Sequence, residues 1–236
     1  VIMKEIVIIS GKGGTGKTSL VAAFAAFAEN KVLADCDVDA ADLHLVVQPE
    51  TIYQESFSGG GKAEIREDLC TDCGLCLEHC RFGAISKPLS RDGKPSSTPW
   101  VNPIFCEGCR FCARICPAEA IAFKPAKSGC CYISKTPYGP LAHAQLGIAQ
   151  GNSGKLVSLV RQKAKALAET EGRDLIIVDG PPGVGCPVIA SVTGSDLVLI
   201  VTEPTLSGRH DMLRVAELTA HFGIPTLICI NKWDIQ

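Results

Sequence analysis

The stretch that decides the fold is Gly11-Lys12-Gly13-Gly14-Thr15-Gly16-Lys17-Thr18. It follows an apolar run at 6–9 and precedes an Ala-rich segment, 19–29, that predicts a helix. Strand, glycine loop and helix, with a complete match to G-x-x-x-x-G-K-S/T, indicate a phosphate-binding loop. Glycines let successive backbone N–H groups face an anion, and the helix N-terminus adds partial positive charge. The pattern predicts that Lys17 reaches the β- and γ-phosphates and that the Thr18 hydroxyl binds Mg²⁺.

Two acidic segments follow predicted strands. A short strand at 31–34 leads to Asp35-Cys36-Asp37-Val38-Asp39, and the fully apolar strand at 175–178 ends at Asp179. Carboxylates at the C-terminal ends of parallel strands suit Mg²⁺ and an attacking water. Asp179 therefore takes the Walker B position, which holds Mg²⁺ through water.

The cysteines form an internal repeat. Eight of the thirteen lie within Cys70 to Cys116. The two halves, 36 residues apart, read Cys70-x2-Cys73-x2-Cys76-x3-Cys80 and Cys106-x2-Cys109-x2-Cys112-x3-Cys116. In a protein with a cytosolic-type nucleotide loop, clustered cysteines indicate metal more often than disulfides.

This spacing predicts two [4Fe–4S] clusters, because three cysteines of one half bind one cluster and the fourth binds the other. One cluster takes Cys70, Cys73, Cys76 and Cys116; the other takes Cys106, Cys109, Cys112 and Cys80. Two zinc sites are the alternative, but they leave the third cysteine of each half unexplained. A further alternative is that one of the two clusters is [3Fe–4S]. Arg81 stands where proline usually follows the fourth cysteine, a change expected to affect cluster hydration and potential.

The loop Lys12-Gly13-Gly14-Thr15-Gly16-Lys17-Thr18 resembles the deviant Walker A loop of the MinD/ParA/Mrp family of P-loop ATPases. The resemblance implies a dimer in which Lys12 reaches the phosphates of the partner's nucleotide. It further implies that Asp37, in switch I, orients or deprotonates the attacking water. Gly183, in Gly180-Pro181-Pro182-Gly183, resembles part of switch II and is expected to donate its N–H to the γ-phosphate.

The base is expected to contact the segment after the last predicted strand. Asn231 is placed to hydrogen-bond the base. The segment Asn231-Lys232-Trp233-Asp234 also matches N-K-x-D, a motif in which many GTPases use the aspartate, here Asp234, to recognise guanine. The family resemblance favours ATP, and this motif keeps GTP open.

The order of elements predicts a doubly wound α/β fold: a mainly parallel P-loop NTPase sheet with a small inserted α+β domain that resembles a bacterial two-cluster ferredoxin. We place the first part of the NTPase domain at 1–58, the insertion at 59–125 and the second part at 126–236. Ser58-Gly59-Gly60-Gly61 predicts a flexible joint. Relatives of this fold usually continue with further helices and a strand, so further elements are expected after residue 236.

Composition argues against several partners. The net charge is −2, so no general basic field for nucleic acid exists. No apolar run reaches about 18 residues, which argues against a membrane-spanning helix. The chain enters its first strand at once, which leaves no room for a signal peptide, and we expect a cytoplasmic protein.

The combined motifs predict an ATPase that couples a nucleotide-driven dimer switch to electron transfer, as a homodimer or as a heterodimer with a related ATPase. Its further partner is a redox protein or an apo-protein. The alternatives are an iron–sulfur cluster carrier of Mrp type and a positioning or partitioning ATPase with a redox sensor.

Two lesser expectations concern single residues. Cysteines outside the repeat are expected in the core, with a bridging cluster at Cys186 as the alternative. The helical segment at 156–168 is expected to keep Arg161, Lys163 and Lys165 on its solvated face.

Overall fold

The computed structural model describes residues 3–89, 96, 98–147 and 153–234. The chain divides into two compact units. We call Ser58–Ser128 the cysteine unit; the sheet unit comprises Val1–Phe57, Gly129–Gly147 and Asn152–Gln236.

The sheet unit contains eight strands and five helices among the described residues. Before the interruption these are β1 (Lys4–Ser10), α1 (Lys17–Phe27), β2 (Lys31–Asp35), α2 (Leu43–Val47) and β3 (Glu50–Phe57). The cysteine unit then supplies β4 (Gly60–Ile65), α3 (Leu75–Glu78), β5 (Ile85–Ser86), β6 (Trp100–Val101), α4 (Phe111–Arg114) and β7 (Ile121–Ala126). The sheet unit resumes with β8 (Gly129–Thr136), β9 (Gly139–Leu146), α5 (Ser153–Glu171), β10 (Leu175–Pro182), α6 (Cys186–Val192), β11 (Leu197–Thr202), α7 (Leu206–His221) and β12 (Thr226–Ile230).

The strands of the sheet unit form one mainly parallel sheet in the order β12-β11-β1-β10-β2-β9-β8-β3. The six strands from β12 to β9 are parallel to their neighbours, whereas β8 runs antiparallel between β9 and β3. The central strands β1, β2 and β10 are almost wholly buried because helices cover both faces, which is why they read as continuous apolar runs. The mainly parallel α/β fold predicted from the sequence is confirmed.

Helix α5 corrects one expectation, because Arg161 is buried and not on the solvated face. Its guanidinium forms two hydrogen bonds with the Glu5 carboxylate, at 2.7 and 2.8 Å, and donates to the carbonyls of Ala190 and Thr193. Lys165 also reaches Glu5, at 3.1 Å. The Arg161 side chain therefore fastens α5 to β1 and to the end of α6.

Among its described residues, the cysteine unit has two short antiparallel sheets, β4-β7 and β5-β6, and two helices of a single turn. Its small apolar core includes Cys106, with Cys76, Cys80, Cys112 and Cys116 packed against it. Cysteine thiols therefore occupy, in and around this core, space that aliphatic side chains occupy in larger domains.

The predicted flexible joint is also corrected. Gly60 and Gly61 lie in β4, where they pair with Ala126 and Pro125 of β7. A side chain on Gly61 would meet the carbonyl of Lys124, so glycine serves close strand approach here.

Among the helices of the described residues, none combines the length and apolar character needed to cross a bilayer.

Candidate functional site

The phosphate loop joins β1 to α1 at the C-terminal edge of the parallel sheet. Gly14 and Gly16 have φ values of +79° and +95°, which side-chain-bearing residues rarely adopt. A Cβ on Gly16 would also collide with the Asn231 amide. The loop therefore needs glycine at this position both for its backbone conformation and for the close approach of Asn231, which directly follows β12.

A lysine and two carboxylates gather beside the loop. Lys17 is buried, and its Nζ lies 4.0 Å from Oδ2 of Asp37. Asp179 is buried, and neither of its carboxylate oxygens has a hydrogen-bond partner among the described residues. Burial raises the pKa of Asp179 to about 6, and the positive charge of Lys17 opposes this shift. A buried carboxylate with free oxygens beside a hydroxyl is the donor set that Mg²⁺ prefers.

Asp35 supports the neighbouring Asp37, a role that was not expected from the sequence. Its two carboxylate oxygens accept the backbone N–H groups of Asp37, at 3.1 Å, and Leu43, at 3.3 Å. Burial, followed by the charge of Asp179, raises the pKa of Asp35 well above its ordinary value. Its position two residues before Asp37 was the available signal, since an aspartate commonly accepts the N–H two residues on.

Lys12 faces its own chain in this conformation. Its Nζ lies 2.9 Å from Oε2 of Glu203 and 3.3 Å from Oγ of Ser207. The other Glu203 oxygen binds Lys232 at 2.6 Å, and Lys232 also donates to the Gly14 carbonyl at 2.6 Å. Hydrogen bonds from Lys232 and then Lys12 lower the pKa of Glu203. One carboxylate thus holds the first lysine of the loop and the lysine of the N-K-x-D segment.

Three other residues were predicted to contact the nucleotide, and two of them make hydrogen bonds within the chain. The Gly183 N–H donates to the Ser10 carbonyl at 2.8 Å. The Asn231 side-chain amide donates to the Thr15 carbonyl at 2.8 Å, which braces the loop against β12. Asp234 is exposed. Gly183 would have to exchange its present bond to meet a phosphate.

The repeat cysteines line two cavities within the cysteine unit. The large cavity, of about 580 Å³, is lined by Cys80, Cys106, Cys109 and Cys112 together with other side chains. The small cavity, of about 20 Å³, is lined by Cys70, Cys73, Cys76 and Cys116. Each set draws three cysteines from one half of the repeat and the fourth from the other half.

No group of three or more His, Cys, Asp or Glu side chains in the described part of the chain is arranged to hold a single metal ion. The cysteines outside the repeat differ in environment. Cys36 and Cys131 are buried, as expected, whereas Cys186 is exposed at the start of α6. Core packing was thus the wrong expectation for Cys186.

The fold and the phosphate loop define a P-loop nucleotide-binding protein. The chain belongs to the CobQ/CobB/MinD/ParA nucleotide-binding family, whose model matches residues 6–236. Members of this family of the MinD/ParA type are P-loop ATPases.

Two uncharacterized proteins of Methanocaldococcus jannaschii are similar along nearly the whole chain. One is 40% identical over 98% of this chain and 79% of its own length; the other is 28% identical over 99% and 83%. Among solved structures, the septum site-determining protein MinD of Pyrococcus horikoshii, complexed with Mg-ADP, superposes with a TM-score of 0.53. It is 17% identical, and the match covers 100% of this chain and 72% of that one, so it shows a shared fold.

Proposed function

We propose that this protein is an ATPase in which nucleotide-driven pairing of two subunits controls electron transfer through two [4Fe–4S] clusters in the cysteine unit. One observation carries the proposal. The chain that contains the phosphate loop also lines two cavities with the two crossed cysteine sets that the repeat predicts.

On the nucleotide side, each residue has a role that its position supports. Lys17, buried beside the loop, neutralises phosphate charge. Thr18 and Asp179 hold Mg²⁺, because Asp179 has buried oxygens without protein partners. Asp37, whose pKa burial raises, orients the attacking water and accepts its proton. Asp35 keeps Asp37 in place through the backbone bond described above.

The cysteine side fits clusters better than single ions. A cubane carries one thiolate on each iron, so its ligands surround a volume, whereas zinc needs four ligands around one point. Four cysteines line each cavity; the large cavity already encloses such a volume, whereas the small one, at about 20 Å³, would have to widen to hold a cubane. When bound, the clusters supply one-electron redox chemistry, and the cysteine unit holds them by its eight thiolates. The insertion is accordingly proposed to be a ferredoxin-like domain.

Coupling between nucleotide binding and subunit pairing would require residues to leave contacts that they make within their own chain. Lys12 has to leave Glu203 and Ser207 before it can reach a partner's phosphates, and Gly183 has to leave Ser10 before it can donate to a γ-phosphate. These are discrete alternative bonds that a nucleotide could select. Because one organism holds two distinct relatives of this chain, the pair is proposed as either homodimeric or heterodimeric.

The experiment uses anaerobically purified full-length protein. We expect about eight irons per chain and hydrolysis of ATP that is lost in Lys17→Ala. We also expect a change in the rate at which dithionite-reduced protein passes electrons to a one-electron dye when ATP is added. Lys17→Ala, which keeps the cysteines, is the matched control and should show no nucleotide effect.

Other outcomes would replace the proposal. An unchanged electron-transfer rate with ATP would overturn the coupling. Transfer of iron and sulfide to an apo-ferredoxin would favour the carrier alternative, and ATP-dependent sedimentation with lipid vesicles or DNA would favour the positioning ATPase. A GTP arm in each assay tests the role of the N-K-x-D segment.

A further inference from the structure

The two halves of the cysteine repeat differ in charge at several matched positions, and two of these place an arginine at the large cavity. With the offset of 36 residues, Arg110 corresponds to Gly74, and Arg81 corresponds to Pro117. Both arginines line the large cavity. Their two counterparts are uncharged, and the charged residue lining the small cavity is Asp72.

Further charges increase this difference. Lys62 donates from its Nζ to the carbonyl of Cys106, a large-cavity cysteine, at 2.6 Å. Glu107 offsets one positive charge at the large cavity. At the small cavity Asp72 is itself paired with Lys87, at 2.7 Å. The large cavity thus carries a net positive lining, and the small cavity a negative or neutral one.

Arg110 occupies its position at a conformational cost. It precedes α4 with φ of +65°, and Gly74 precedes α3 with φ of +78°. Glycine adopts this backbone region freely, whereas an arginine does not. The guanidinium lies 4.9 Å from the centre of the Phe123 ring, which also lines the large cavity. The strained backbone is therefore combined with a cation held against the cavity wall.

We infer that the two cysteine sites hold their clusters at different reduction potentials, with the higher potential at the large cavity because Arg81 and Arg110 stabilise the reduced state. The inference rests on the proposed function. Reduction adds one negative charge to a cluster, and nearby positive charge favours that change.

One observation works against the difference. The Ala120 N–H donates to the sulfur of Cys116 at 3.4 Å, and a hydrogen bond to a ligand sulfur raises the potential at the small cavity. This is one neutral dipole at a long distance, set against a large-cavity lining that stays net positive after Glu107 is counted. The higher reduction potential is therefore still expected at the large cavity.

The test is a potentiometric titration of the full-length, iron-loaded protein, followed by EPR. We expect two resolved reduction steps in the wild type. Arg110→Gly, which copies Gly74 and relieves the strained backbone, should lower the higher step. Arg81→Gln should lower the same step, and the double variant should bring the two steps together. The reciprocal variants Gly74→Arg and Asp72→Asn should raise the lower step.

Lys124→Gln is the matched control, because Lys124 is exposed and lines neither cavity. It should move neither step. Higher ionic strength should narrow the wild-type gap, since the arginines are exposed and their fields are screened.

Three results would overturn the inference: a single unresolved step in the wild type, equal shifts in Arg110→Gly and Lys124→Gln, or a lower step that responds to Arg81→Gln. An iron content well below about eight per chain would overturn the proposed function as well. Full iron content with equal potentials would overturn this inference alone.

Discussion

The sheet unit and the cysteine unit reach order by different means. The sheet unit surrounds β1, β2 and β10 with helices and buries large aliphatic side chains on both faces. Among the described residues of the cysteine unit, two of the four strands have only two residues, both helices are single turns, and thiols take part of the space in a small core. The sheet unit is thus stabilised by its own packing, whereas the proposed function requires the cysteine unit, with its smaller apolar core, to gain stability from what its cysteines bind.

The largest expected effect is on the cysteine unit. Removal of iron with a chelator and an oxidant should abolish the slow hydrogen exchange of β4 and β7 amides, because the thiols lose the ligand that fixes them. Amides of β1 and β10 should keep their protection. Mass spectrometry of both units in one sample is the measurement. Equal protection of β4 before and after removal would show that the small core suffices.

A second change should act on the sheet unit alone. Arg161→Ala leaves the buried Glu5 carboxylate without its bidentate partner, and breaking such a pair costs about 3–5 kcal/mol. Protection of β1 and α5 amides should fall accordingly, with unchanged iron content.

Lys165→Ala is the control for this change, since Lys165 also contacts Glu5 but its side chain is 41% exposed. It should cost less than about 1 kcal/mol. If the two variants are equally stable, the Arg161 contacts are not what holds α5 to β1.

A third effect concerns pH at the phosphate loop. Asp179 has to be ionised to hold Mg²⁺, and its pKa is raised to about 6 from 3.8. Affinity for Mg-ADP should therefore be level above about pH 6 and fall up to tenfold per unit below it, about 1.4 kcal/mol per unit. Calorimetry between pH 5 and 8 measures this.

Asp179→Asn provides the matching control, because an amide does not titrate. Its affinity should be weaker and lack the decline below pH 6. A decline of the same size in this variant would assign the titration to another group, such as Asp37.

The smallest effect is expected at Cys186. It is exposed at the start of α6 and belongs to neither cavity. Cys186→Ser should leave iron content and nucleotide hydrolysis unchanged, as measured by iron assay and phosphate release. Loss of iron in the dimer would instead support the bridging cluster.

The sequence predicted the parallel core well because buried strands such as 175–178 are continuous apolar runs beside a glycine loop. It did not predict β3, because nearly all residues of this edge strand are exposed and it shows no apolar alternation. It misjudged Arg161 because the partner, Glu5, is 156 residues away in the chain. Long-range pairing of this kind leaves no local pattern.

The phosphate-loop residues could be recognised because their spacing within one short segment is a local pattern. The bond between Lys12 and Glu203 was not, because it joins the loop to the end of β11 across most of the chain. Nor could residue spacing alone reveal that the Asn231 amide braces the loop through the Thr15 carbonyl.

The exchange of Cys80 and Cys116 between the two cavities makes the repeat indivisible. Deleting either half would remove three of the four repeat cysteines from one cavity and one of the four from the other, so that neither set would be complete. A fragment bearing a lone motif would thus lack the complete set of four cysteines for either cavity.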